Sequence, residues 1–418
     1  MERRRGGLLR HRNFRLLWTG ETISEAGDSL ANVLVPLLAV TVLRVNTFDV
    51  AALTAAAYGP WLVIGLPAGA WVDRWPRRCL MIACDVVSAV AFASLPVAAW
   101  LGVLTFAQLA GVVLVAGVAD VFFATAYEVF LPSIVGAGDL MEGNAKLQGS
   151  ASATRIGGRG AAGALAQAAG AATALLLNAV SFLVSAACLM RIDPRDEIHR
   201  RPAGDTTTIL AEVTKGVRFV AGDPYLRPFT VYAIVGNLVY TGYTSLAVLF
   251  LVRVAGFSPA ATGLLLAFAG VGGVAGALVA GRLSRRVGSA RLLVLTAVAS
   301  AAGLLIPLAH PGYRVVWFVA GALVVNTGIL AGNITVGAFR QRYCPPEMLG
   351  RVVAGMRFLA FGAIPVGALL AGALGTVLGV RDALWVFLSV NALTGVLLCM
   401  PSVQATRDLP SRETSSPT

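Results

Sequence analysis

Of 418 residues, 57% are hydrophobic and 13% charged, whereas a soluble domain carries about a quarter charged residues; the chain is therefore read as an integral membrane protein, not a large-cored soluble enzyme. The formal net charge is +12, but the basic residues stand in short connections between apolar runs and not on one solvated face, so nucleic acid is excluded as a partner. Five cysteines, at 79, 84, 188, 344 and 399, lie in or beside apolar segments with neither framework nor metal-ligand spacing, and no metal or cofactor is expected.

In chain order, MERRRGGLLRHRNFR leads into a long apolar run without a small-residue cleavage site. Residues 1–16 are thus expected to be a cytoplasmic arm and not a signal peptide. A helix crossing the bilayer needs about 20 mostly apolar residues. Twelve such stretches are predicted, at 17–43, 51–72, 79–101, 104–126, 149–170, 172–190, 229–252, 260–282, 290–309, 314–338, 354–378 and 383–401. Residues 17–190 then form one six-helix bundle and 229–401 a second. The one long connection, 191–228, opens charged and Pro-containing. It then places Ile209, Val213, Val217 and Val220 at helical spacing, which predicts an amphipathic helix on the cytoplasmic membrane face. The stretch 402–418 is rich in Ser, Thr and Pro from Gln404 and is expected to be a disordered tail.

An even number of crossings returns both ends to one side. Of 33 Lys and Arg, 27 fall in the segments that this alternation makes cytoplasmic; the outer loops hold only Arg44, Arg253, Arg314 and Arg381, and two lie within a span. That bias is the positive-inside signature, and a wrong helix count would scramble it. The turn inside GLPAGAWVDRWPRRCL (65–80) gathers Asp73, Arg74, Arg77 and Arg78 between two apolar helices. GALVAGRLSRRVGSAR (276–291) echoes it, with Gly281, Leu283, Arg286 and Gly288 in the same frame. Gly69 and Gly281 stand 212 residues apart, about half the chain, which predicts two related halves.

Ionisable groups within the bilayer cost several kcal/mol each and are functional candidates. Glu21, Glu25, Asp28 and Asn32 recur at spacings of four, three and four, one polar stripe along the first helix. Asp28 falls about eleven residues into its predicted span, roughly 16 Å deep. Asp120 in the fourth span, and Arg155 and Arg159 one turn apart in the fifth, fall in the same band of depth, roughly 10 to 16 Å. Two readings stay open. The charges are permanent pairs that hold the bundle together, or at least one acid, with Asp28 first and Glu25 and Asp120 after it, exchanges a proton as the protein changes state.

The chain resembles the major facilitator superfamily over nearly its whole length. The carriers are the turn at 69–78 with its half-chain echo, FRLLWTGETISEAGDSLANVLVPLLAV (14–40), AYEVFLPSIVGAGDLMEGNAKLQGSAS (126–152), NAVSFLVSA (178–186) and FRQRYCPPEMLGRVVAGMRFLAFGAIPVGALLAG (339–372). Within that superfamily it is similar to the drug-exporter branch of macrolide-efflux and enterobactin-export proteins. The resemblance implies an all-α fold of twelve membrane helices in two pseudo-symmetric six-helix bundles. It implies a monomeric secondary transporter, in the inner membrane of a bacterium with both termini cytoplasmic, that exports a small hydrophobic or amphiphilic compound by alternating access and proton antiport. By the same resemblance Gly69, Asp73, Arg74, Arg77 and Arg78 form a gating loop, in which Asp73 latches onto loop arginines and a facing helix N-terminus. Glu21, Asn32, Asn237, Tyr240, Thr241, Tyr243, Asn326, Thr327 and Asn333 become substrate-cavity candidates, interhelical hydrogen bonding being the alternative use of such groups.

Departures from the pattern are specific. Pro76 replaces a usual glycine, Arg285 stands where the second turn should carry an acid, Ala124 and Asn178 replace frequent aspartates, and Arg159 replaces a proline. They motivate an alternative reading, a non-transporting or lipid-handling scaffold or sensor of the same fold. The three histidines, at 11, 199 and 310, lie in terminal or loop segments without a nucleophile–base pair, so no enzyme is expected. No Walker loop is present, which argues against an ATP-driven pump.

Overall fold

The computed structural model describes residues 8–72, 74–135, 139–193, 209–394 and 407–409. Among these the regular elements are all helical. They are α1 (Arg12–Thr41), α2 (Thr47–Val72), α3 (Arg77–Trp100), α4 (Phe106–Ile134), α5 (Leu140–Ala169), α6 (Ala171–Met190), α7 (Ile209–Gly222), α8 (Leu226–Leu249), α9 (Pro259–Val287), α10 (Ser289–Ala299), α11 (Val315–Tyr343), α12 (Pro346–Val377) and α13 (Val380–Thr394). A π-turn at Phe250–Val254 extends α8, and a 3-10 stretch at Ser300–Leu308 extends α10. Each of the twelve predicted crossings coincides with a helix. Ten of the described helices are long and apolar enough to span a bilayer. The two that fall short are α5, which carries Glu142, Lys146, Arg155 and Arg159, and α13, described only to Thr394.

The chain divides into two compact units. One comprises residues 1–45, 56–206 and 258–267, the other 46–55, 207–257 and 268–418. Inside the first, α1 packs on α5 and α6, and α3 packs on α4 and α6. Inside the second, α8 packs on α12 and α13, and the 300–308 stretch packs on α11 and α13. The second list is the first repeated one half-chain later, the internal repeat that the two basic turns predicted. Lipid supplies no hydrophobic drive between helices, so close approach is bought with small residues. Gly158 of α5 lies against Ser29 and the Ala26 carbonyl of α1, and Gly367 of α12 lies against the Leu238 backbone of α8. The same helix pair in each unit is thus joined through a glycine on the same partner.

Each unit has an apolar cluster at the end that bears its basic turn. In the first it gathers Phe14, Leu17, Val72, Met81, Phe130 and Ile134. In the second, Val220, Phe229, Leu293, Phe339, Val352 and Met356. α7 packs on α12, where Val217 sits against the bare backbone of Gly355, and Val220 is 3% exposed. Pro224 ends α7. Asp223 then accepts the amides of Tyr225 and Leu226 at 2.9 and 2.8 Å and the Tyr343 hydroxyl at 3.0 Å, tying the start of α8 to the end of α11.

Residues 407–409, within the stretch 402–418, dock on the start of α10. Residues 1–7, 194–208, 395–406 and 410–418, together with Asp73, lie outside the described residues.

Candidate functional site

The polar stripe of α1 meets α4 and α5 inside the first unit. There Glu21, Thr22 and Glu25, one turn of helix, face Tyr127 of α4 and Gln148 and Arg155 of α5 across a pocket of about 180 Å³. Carboxylates four residues apart share a helix face, so periodicity alone brings Glu21 and Glu25 to one wall. Glu25 Oε1 lies 3.6 Å from Arg155 Nη2, with the two side chains 29% and 56% exposed. So open an ion pair contributes at most about 1 kcal/mol, which removes it as a buried strut. Glu21 Oε2 is buried and has no hydrogen-bond partner among the described residues.

α1 begins at Arg12, earlier than the predicted 17, so its 30 residues extend about 45 Å against a hydrocarbon core of about 30 Å. Asp28 stands at the middle of that rod, half-buried. Electrostatic interactions link it to Asp120, Glu25, Glu21 and Asp85. Asp120 faces out of α4 and accepts the Trp61 indole N–H of α2 at 3.0 Å. Arg159 is half-buried and forms no ion pair among the described residues. One ion pair, partly exposed, is therefore what the predicted cluster of acids and arginines yields.

Asp85 is the acid that sequence reasoning missed. It is 1% exposed on α3, an electrostatic interaction links it to Ser185 of α6, and its Oδ2 has no hydrogen-bond partner among the described residues. The signal was available: an acid about eight residues into an apolar helix, roughly 12 Å along it, in the same band as the others. Trp61 had no such signal, since only the crossing of α2 with α4 brings its indole to Asp120.

The remaining candidates separate. Asn32 is exposed. In the second unit the Tyr240 hydroxyl donates to Asn326 Oδ1 at 3.2 Å, and Asn326 Nδ2 donates to the Ala322 carbonyl at 2.8 Å. Thr327 donates to the carbonyls of Gly272 and Leu323 at 2.9 and 2.7 Å. These three serve as helix-to-helix and within-helix hydrogen bonds, the alternative use named for them. Tyr243 is 3% and Thr241 6% exposed, so their side chains face the unit's own helices. Asn237 is half-buried and Asn333 exposed. Of the loop residues, Gly69 and Arg77 are half-buried and Arg74 is exposed. Arg78 donates from Nε to the Leu189 carbonyl at 2.8 Å and from Nη2 to that of Met190, neutralising the C-terminus of α6. Asp73 lies outside the described residues.

The Major Facilitator Superfamily is matched over residues 17–364. The multidrug efflux pump Tap of Mycolicibacterium fortuitum is 29% identical over 368 residues, 85% of this chain and 87% of that protein. Among solved structures the nucleoside transporter NupG is similar with a TM-score of 0.74 at 12% identity, covering 93% of this chain and 98% of that one. A bacterial homologue of the iron transporter ferroportin in its inward-facing state is similar with a TM-score of 0.70 at 19% identity, covering 94% and 99%. At such identities the solved structures establish the fold alone.

Proposed function

The chain belongs to the Major Facilitator Superfamily, and from that premise we propose that it exports a small hydrophobic or amphiphilic compound by alternating access, driven by inward proton flow. One observation carries this reading: the pocket of the first unit sets carboxylates beside an aromatic ring, an amide and a guanidinium, and electrostatic interactions link it to the mid-helix Asp28. A pocket of this size takes the polar end of an amphiphile among these groups. Asp28 is the proton carrier of the cycle, Glu25 and Asp120 share its field, and Arg155 is the mobile counter-charge. Arg159, one turn further along α5, is the second. The identity with a multidrug efflux pump supports export, and the loop charge census supports a bacterial cytoplasmic membrane with both termini inside. The proposed working unit is the monomer.

The test is reconstitution. Purified protein in liposomes with an imposed pH gradient is offered a panel of hydrophobic antibiotics and dyes. Accumulation that collapses on adding a protonophore is expected. Binding without gradient-dependent movement of any compound refutes the proposal and favours the scaffold or sensor.

Arg155→Gln separates structure from transport. Because the Glu25–Arg155 pair is so open, the variant melts in detergent within about 1 kcal/mol of the parent. Its substrate affinity falls several-fold, measured by fluorescence titration with a transported dye. Unchanged affinity removes Arg155 from the pocket's chemistry.

A further inference from the structure

The second basic turn repeats the first with one substitution of sign: Arg285 occupies the place that Asp73 holds in the first. The turn between α9 and α10 is therefore all cationic, with Arg282, Arg285, Arg286 and Arg291 and no acid of its own. It also lacks a side-chain cap. The residue before α10 is Gly288, at φ +95°, and it offers no oxygen to the first free amides of the helix.

Residues 407–409 supply both missing elements. Asp408 Oδ1 accepts the Ser289 amide at 2.9 Å and the Ser289 hydroxyl at 3.2 Å. The Arg407 carbonyl accepts the Ala290 amide at 3.3 Å. The Leu409 amide donates to Ser289 Oγ at 2.9 Å, and the Leu409 side chain packs against the apolar cluster of the second unit. Arg407 Nη2 reaches the other helix end, donating to the carbonyls of Arg285 and Arg286 at 3.5 and 3.3 Å. One tripeptide thus places a carboxylate on the positive end of α10 and a guanidinium on the negative end of α9, the pairing that helix dipoles favour. Gly288 is shaped for it, since a Cβ there would collide with the Arg407 carbonyl.

We infer that Arg407–Leu409 is a clip that closes the α9–α10 turn, with Asp408 delivering from some 120 residues away the acid that the repeated turn lost, and that this clip sets the rate of the transport cycle. The first turn has Asp73 in its own sequence, whereas the second receives its acid from a segment distant along the chain. The inference does not depend on the compound carried or on the driving ion.

Full-length protein, the Asp408→Ala variant and the Asp408→Asn variant are compared by hydrogen–deuterium exchange of the peptide covering 282–292. Exchange at the amides of Ser289 and Ala290 is expected to rise at least tenfold in Asp408→Ala and less in Asp408→Asn, which keeps an acceptor oxygen without the charge. The first-turn peptide, 70–80, is expected to be unchanged in both. Turnover, in liposomes, of the dye that the panel identifies as transported is expected to change at least threefold in Asp408→Ala with its KM unaltered. Unchanged exchange overturns the clip. Raised exchange with unchanged turnover overturns its part in the cycle.

Discussion

Asp28→Asn abolishes proton-driven export and leaves the protein folded in the membrane. The carboxyl sits at the middle of a helix about 45 Å long, where a charge is costly and has reason to be there only for function. Its neighbours are acids, not cations: electrostatic interactions link it to Asp120, Glu25, Glu21 and Asp85, and no hydrogen bond or ion pair with a described residue holds it. An isosteric amide therefore removes no structural contact and relieves like-charge repulsion. The melting temperature in detergent is expected to be equal to or above that of the parent. Dye efflux under an imposed pH gradient is expected to fall to the level of empty liposomes, and the proton release that accompanies substrate addition, read with a pH-sensitive fluorophore, disappears with it. Full export by this variant rules out Asp28 as the carrier. Asp85→Asn is the companion experiment, because Asp85 is more deeply buried; if it also silences transport, the coupling group is shared between α1 and α3.

Gly367→Val has the largest expected effect on stability. A Cβ on Gly367 meets the backbone of Leu238, its carbonyl oxygen first and then its C and Cα at 2.9 Å. Backbone cannot swing aside as the tip of a lysine would, so α12 must retreat from α8 along their whole contact. Overpacking of this kind costs about 1–3 kcal/mol even where side chains can yield, and here the upper end or more is expected, enough to reduce the ratio of folded to unfolded protein more than tenfold. Thermal unfolding in detergent and the monodisperse yield on size exclusion measure it. Gly236→Ala, on the same α8 but with nothing within 4 Å of its Cβ, serves as the control and is expected to be neutral or mildly stabilising. Equal behaviour of the two variants disproves the close-approach account of this helix pair.

Several elements could be read from residues alone because their signals are local. Twelve apolar runs, the confinement of Lys and Arg to alternate loops, the α1 stripe and the repeated turn each follow from hydropathy or spacing within one segment. What residues alone leave open is non-local. An amphipathic pattern states that a face of α7 is apolar and not what covers it; Gly355, far along the chain, lets α12 pack against Val217. Tyr240 and Tyr243 share a helix, yet packing buries Tyr243 and leaves Tyr240 bonded to Asn326.

The residues by themselves determined that this chain lives in a bilayer, how many times it crosses, that its halves are related, and that charges lie at mid-depth in the first half, since each of these is a property of short windows and their order. Tertiary structure alone decided which charges meet. It paired Glu25 with Arg155, left Arg159 without an ion pair among the described residues, brought Trp61 to Asp120, buried Asp85 against Ser185, and returned Asp408 to a turn that had lost its acid. Pairing depends on the crossing of helices distant in sequence, and no spacing within one helix encodes where another will pass.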